Sequence, residues 1–220
     1  MKVRYLREDE IDLAAATTLN SYERRFGEII APPVPVEEIL ECDLELDFGF
    51  EDLEHNFGTG TLGALWMRDR RVKVDTSLDP TLYPASEGRY RFTIGHEIGH
   101  WQLHRHLFLA DPNQASLLEE TSEPSIVCRA GANKPPIEWQ ADAFSSRLLM
   151  PKTMLVRAWM DAKGSVLNRN SRRHQRRRGD PDRTAVNEMA RLFKVSAQAM
   201  QIRLTDLQII SSHGGASLLR

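Results

Sequence analysis

Long apolar runs are missing from this chain. No stretch approaches the run of about 20 apolar residues that a membrane helix needs, and Met1-Lys2-Val3-Arg4 is not followed by the apolar segment of an export signal. A cytoplasmic protein without a membrane span is therefore expected. Cysteine is scarce as well: Cys42 and Cys128 are the only two and stand in no C-x-x-C spacing. They read as free thiols rather than a disulfide framework or a cysteine-built metal site. Nor is there an excess of one charge, since 29 Lys and Arg against 31 Asp and Glu leave a formal net charge of -2. That balance argues against binding nucleic acid by bulk electrostatics alone. What is present, 41% hydrophobic and 27% charged residues in 220, suits one sizeable domain or one domain with a small appendage.

The most informative stretch is Phe92-Thr93-Ile94-Gly95-His96-Glu97-Ile98-Gly99-His100-Trp101. His96 and His100 are four apart, so on a helix they lie one turn above each other, at the separation that two ligands of a tetrahedral zinc ion require. Glu97 is rotated away from both and is placed to reach a water on the metal rather than the metal itself. Zinc lowers the pKa of that water to roughly 7, and a carboxylate beside it can carry a proton to a leaving amine. This is the chemistry of peptide-bond hydrolysis. Ile94, Ile98, Trp101 and Leu103 interleave with the polar set, as in a helix buried on one side and open to a cleft on the other. Gly95 and Gly99 each cost about 1 kcal/mol against Ala in a helix, which predicts another backbone packed closely against them.

A third protein ligand is needed, and two candidates compete. His96, His100 and His106 have the spacing H-E-x-x-H-x-x-x-x-x-H of metzincins, but Leu103 stands where that class turns the chain with a glycine. On a continuing helix His106 points away from the metal. The other candidate lies in Pro135-Pro136-Ile137-Glu138-Trp139-Gln140-Ala141-Asp142-Ala143-Phe144, a helix opened by prolines and closed before Pro151. Glu138 and Asp142 share a face of it. One can ligate the metal while the other accepts the second N–H of a ligand histidine.

Together, His96-Glu97-Ile98-Gly99-His100, the run Glu138 to Phe144 into Leu148-Leu149-Met150-Pro151, and Leu192-Phe193-Lys194-Val195-Ser196 with Ala199-Met200 and Arg203-Leu204 resemble the ImmA/IrrE metallopeptidases. The resemblance spans roughly residues 36–207. It implies a gluzincin-like site with His96, His100 and Glu138 on one zinc ion, Glu97 as catalytic acid and base, and Asp142 behind a ligand histidine. It also implies a protein substrate, a partner repressor of the helix-turn-helix type whose cleavage releases phage, mobile-element or stress genes. A His₂Glu donor set accommodates Mn²⁺ as well as Zn²⁺.

The remaining chain predicts an α+β fold, mostly helical, with a small antiparallel sheet. A helix is expected over 8–26 and a short one over 36–42, followed by a half-buried strand through Leu44, Leu46, Phe48 and Phe50. Strands over 61–67 and 71–75 are joined by the turn Arg68-Asp69-Arg70. Tyr83 and Tyr90, ahead of the motif, are near enough in sequence to offer a hydroxyl to an oxyanion, with a core or rim position the expectation for both, and His104 and His106 are expected as cations at a helix end. The polar segment 110–134 reads as a loop bordering the cleft, a candidate lid. Expected domains are a zincin-like peptidase over 1–163, a mobile basic loop over 164–183 and a helix-turn-helix-like pair over 184–212. That pair, with the arginine-rich loop, supports a rival reading as a DNA-binding regulator whose zinc site is structural or degenerate. A protein-binding module without cleavage is the third reading.

Overall fold

The computed structural model describes residues 3–109, 123–131, 134–172 and 181–211, with backbone alone for 165–172 and 181. Most of the expected lid and the core of the expected basic loop lie outside these residues. By its contacts the chain divides into two compact units, one of Met1–Ile29 with Pro35–Leu149 and one of Ile30–Val34 with Met150–Arg220.

The first unit is α+β. Helix α1 (Glu8–Phe26) leads to α2 (Val36–Glu38), a π-turn (Ile39–Asp43), β1 (Asp47–Glu51), α3 (Leu53–Phe57) and the hairpin β2 (Thr61–Trp66) and β3 (Arg71–Asp75). The long α4 (Glu87–Leu109), β4 (Ile126–Arg129) and α5 (Pro136–Leu149) complete it. The hairpin forms as expected. The sheet, however, is mixed rather than antiparallel, with four strands in the order β1-β3-β2-β4. β1 runs parallel to β3, while β2 is antiparallel to both β3 and β4. Passage through α3 and β2 brings β3 back in the direction of β1, the kind of crossover a parallel pair needs. β4 comes from the segment expected to be loop throughout.

α4 packs on β2 and β3 on one side and on α5 on the other, and α1 covers α5. Ile94, Ile98, Phe144 and Leu148 are wholly buried along this stack, each contributing about 1.5–3 kcal/mol by leaving water. The two glycines of the motif have the expected cause. A Cβ at Gly99 would stand 3.1 Å from the Ala141 Cα and carbonyl oxygen, and one at Gly95 would meet the Ser145 hydroxyl at 2.5 Å. Without side chains there, α4 and α5 approach closely enough for their polar residues to meet. Arg147 of α5 adds an ion pair to Asp12 of α1 at 2.6 Å.

In the second unit α6 (Lys152–Arg172) is longer than the helix expected over 152–162, so the first part of the expected basic loop is helical. α7 (Pro181–Phe193) packs on α6 and on α8 (Ala197–Asp206). Ser196 caps α8 as its sequence suggests, its hydroxyl accepting from the Ala199 N–H at 3.0 Å. Arg203, the one obvious candidate on α8 to read a base or a phosphate, is turned inward at 4% exposure, with its Nε 3.5 Å from the Met150 carbonyl. Among the described residues no helix is long and apolar enough to cross a membrane.

Candidate metal centre

Two helices build the site. α4 presents His96, Glu97, His100 and His104, all at 1% exposure or less, and α5 presents Glu138, Gln140 and Asp142. His96 Nε2 lies 2.9 Å from His100 Nε2 and 3.1 Å from Glu138 Oε2, and His100 Nε2 lies 3.3 Å from Glu138 Oε1. Ligand atoms of a tetrahedral site with bonds of about 2.0–2.1 Å stand about 3.3 Å apart, so the triangle has the size for one ion. His96, His100 and Glu138 thus form a group that could hold a metal ion. Asp142 does the second task expected of the pair. Its Oδ1 accepts from His96 Nδ1 at 2.8 Å, while its Oδ2 is 2.7 Å from the Lys134 ammonium.

With the His96 proton on Nδ1, its Nε2 offers a lone pair toward two further donors, the His100 ring and the Glu138 carboxylate. Lone pairs facing one another repel, and only a proton or a cation reconciles them. In the chain by itself that role falls to a proton on His96. Burial alone would lower the His96 pKa, but its hydrogen bonds to Asp142, Cys128 and Glu138 raise it well above the usual value. Burial lowers His100 to about 4. Glu138 is held far below the usual carboxylate range: burial opposes its ionisation, and the two histidines outweigh burial by hydrogen bonds and charge.

Glu97 behaves in the opposite way. It is fully buried, neither carboxylate oxygen has a hydrogen-bond partner among the described residues, and burial pushes its pKa up to about 8, helped by the Glu138 charge and opposed by His96. One carboxyl of the centre is thus held ionised by its neighbours and the other held toward its neutral form by burial.

The chain matches no family model and no curated protein. The chemistry of the site rests on its own residues.

Several of those residues carry little or no signal in the sequence. Gly63 of β2 lies against Glu97, and a Cβ there would stand 2.4 Å from the Glu97 Oε1 and 2.9 Å from Thr93 Cγ2. Cys128 of β4, opposite Gly63 in the sheet register, is buried beside His96 and Glu97, the three donor atoms lying within 4.8 Å of one another. Burial raises the pKa of its thiol, against the pull of His96. Protonated Glu97 and Cys128 are poor ligands beside ionised Glu138. The thiol is free, as its spacing suggests, but it borders the centre rather than standing apart from it.

His104 also departs from expectation. It is not an exposed cation at a helix end, because α4 continues past it to Leu109, and its ring stands against His100, with centroids 5.2 Å apart. His106 is exposed and outside the cluster, which leaves the third position of the triangle to Glu138. Tyr90 is buried against Phe48 and Phe50, and Tyr83 is exposed.

Proposed function

We propose that the chain is a zinc-dependent endopeptidase of the ImmA/IrrE kind. His96, His100 and Glu138 hold the metal, Glu97 carries the proton and Asp142 keeps His96 in its ligating tautomer. The observation that carries this reading is the triangle of three converging donor atoms beside a fully buried, unpartnered Glu97. The donor set fits zinc and also admits manganese. Zinc, when bound, supplies Lewis-acid activation of a water molecule and of the scissile carbonyl.

The chain's own residues do the rest. Glu97, lying against Gly63 with no hydrogen-bond partner among the described residues to compete for it, accepts a proton from the attacking water and returns it to the leaving nitrogen. Lys134 holds Asp142, and Asp142 fixes the His96 ring through its Nδ1. The resemblance in the three sequence blocks further supports a helix-turn-helix repressor as substrate. The inward-turned Arg203 disfavours the rival DNA-binding reading.

A direct test is to incubate the zinc-loaded and the chelator-treated chain with a proteome-derived peptide library and with purified repressors of this type, and to identify new N-termini by mass spectrometry. Cleavage that appears only with metal is expected. Equal cleavage in both samples, or none with a full complement of zinc, contradicts the reading. Gly63→Ala provides a second check, because its methyl cannot share space with the Glu97 carboxylate. Cleavage is expected to fall by about 10²-fold or more, with metal content unchanged.

A further inference from the structure

The hydrogen bonds do not end at the metal triangle. Behind His100, its Nδ1 lies 3.1 Å from His104 Nδ1, His104 Nε2 lies 2.9 Å from Gln140 Oε1, and Gln140 Nε2 donates to the Arg4 carbonyl at 2.9 Å. His100, His104 and Gln140 are at most 1% exposed, so water does not substitute for these partners.

We propose that the Arg4 carbonyl, Gln140 and His104 form a relay that fixes the tautomer of His100, making His104 and Gln140 positioning residues of the metal centre. The inference deepens the peptidase reading and rests on it for the role of the metal. The argument runs from the one group that has no choice. A backbone carbonyl only accepts, so Gln140 must turn its NH₂ toward Arg4 and its oxygen toward His104. His104 must then carry its proton on Nε2, which leaves Nδ1 as an acceptor. His100 must in turn donate from Nδ1, and its Nε2 is left with a lone pair directed at His96 and Glu138. Reversing any link sets the Gln140 oxygen against the Arg4 carbonyl at 2.9 Å, acceptor against acceptor.

Asp142 performs this service for His96 directly, whereas His100 receives it through two side chains. The relay also ties the centre to the segment ahead of α1. That segment lies along α5 not only through Gln140 but through the stack of Tyr5 on Trp139, with centroids 6.0 Å apart and planes 7° from parallel. Arg4 is held in turn by Glu10 of α1, at 2.5 Å. Order in residues 4 and 5 is therefore coupled to the readiness of a ligand at the metal.

Two measurements test the relay. Long-range ¹⁵N–¹H NMR of the histidine rings in the metal-free wild type at pH 7 is expected to show His100 protonated on Nδ1 and His104 on Nε2. A His100 protonated on Nε2 overturns the relay, whether or not the protein binds zinc. The second is zinc affinity by competition with a chromophoric chelator. His104→Leu and Gln140→Leu are each expected to weaken binding by about 10–100-fold. His104→Asn, whose carbonyl can still accept from His100, is expected to recover part of the loss. Affinities of folded His104→Leu and Gln140→Leu within about twofold of wild type also overturn the proposal. Should His104→Leu not fold, Gln140→Leu and the NMR spectra decide. A wild type that shows the expected tautomers but binds no zinc would remove the peptidase reading while leaving the hydrogen-bond order intact.

Discussion

Glu97→Gln is expected to lower peptide cleavage by about 10²–10⁴-fold, the usual worth of a positioned acid–base group, while leaving zinc bound in full. The carboxylate is no member of the metal triangle, and Gln fills the same space against Gly63. The variant should also be more stable in its metal-free form. Glu97 has its folded-state pKa raised to about 8 from an ordinary 4.5, so between these values the folded chain holds a proton that the unfolded chain has released. Stability from this group is therefore present below about pH 4.5 and lost as pH rises toward 8. At pH 7 the loss amounts to about 3 kcal/mol. His96, also raised, adds to the same slope, and His100, lowered, opposes it at more acid pH; the charge coupling of His96 to Glu97 is lost with the carboxylate and makes the smaller part of the difference. Urea denaturation of wild type and variant across pH 5 to 9, without metal, should show curves that separate with rising pH. Curves that stay parallel would show that Glu97 is not held in the neutral form. Cleavage surviving in the variant would remove Glu97 from the mechanism.

The second large effect is expected at Glu138. Its ionised carboxylate completes the triangle, and the two histidines beside it hold its pKa down against burial. Glu138→Ala removes one of three protein donors and the only negative one. Zinc affinity should fall by roughly 10²-fold or more, given apparent binding energies of about 10–16 kcal/mol for complete four-ligand sites. The consequence for stability follows by mass action. Zinc at about a thousand times its dissociation constant raises the unfolding free energy by about 4 kcal/mol. A metal-dependent shift of the thermal midpoint is therefore expected in wild type and should be largely absent from Glu138→Ala.

How much of this was legible from the sequence differs from residue to residue, for physical reasons. The four-residue spacing of His96 and His100 and that of Glu138 and Asp142 could be read because helix periodicity is local. Gly95 and Gly99 announced a close neighbour, and α5 is that neighbour. The turn between β2 and β3 and the Ser196 cap are likewise decided within a few residues. β4 and the parallel pairing of β1 were not legible, since a strand of four residues in a polar segment is defined by its partner in the sheet rather than by its own pattern. Gln140 lies between Glu138 and Asp142 and so reads as belonging to another face of α5. Only the approach of α4 reveals that it meets His104. Gly63 gives no sign of its role until the Glu97 carboxylate is seen against it, and Cys128 none until β4 pairs with β2.

The proposed ImmA/IrrE-type cleavage of a repressor depends on the motif and on the site it assembles. The claim beneath them is simpler: one metal ion is held by His96, His100 and Glu138. Elemental analysis of metal per chain, on purified wild type and on Glu138→Ala, tests it most directly. About one zinc per chain in wild type and a clear loss in the variant is the predicted result. Full retention of zinc in Glu138→Ala, or no metal in either protein after exposure to zinc, would contradict it.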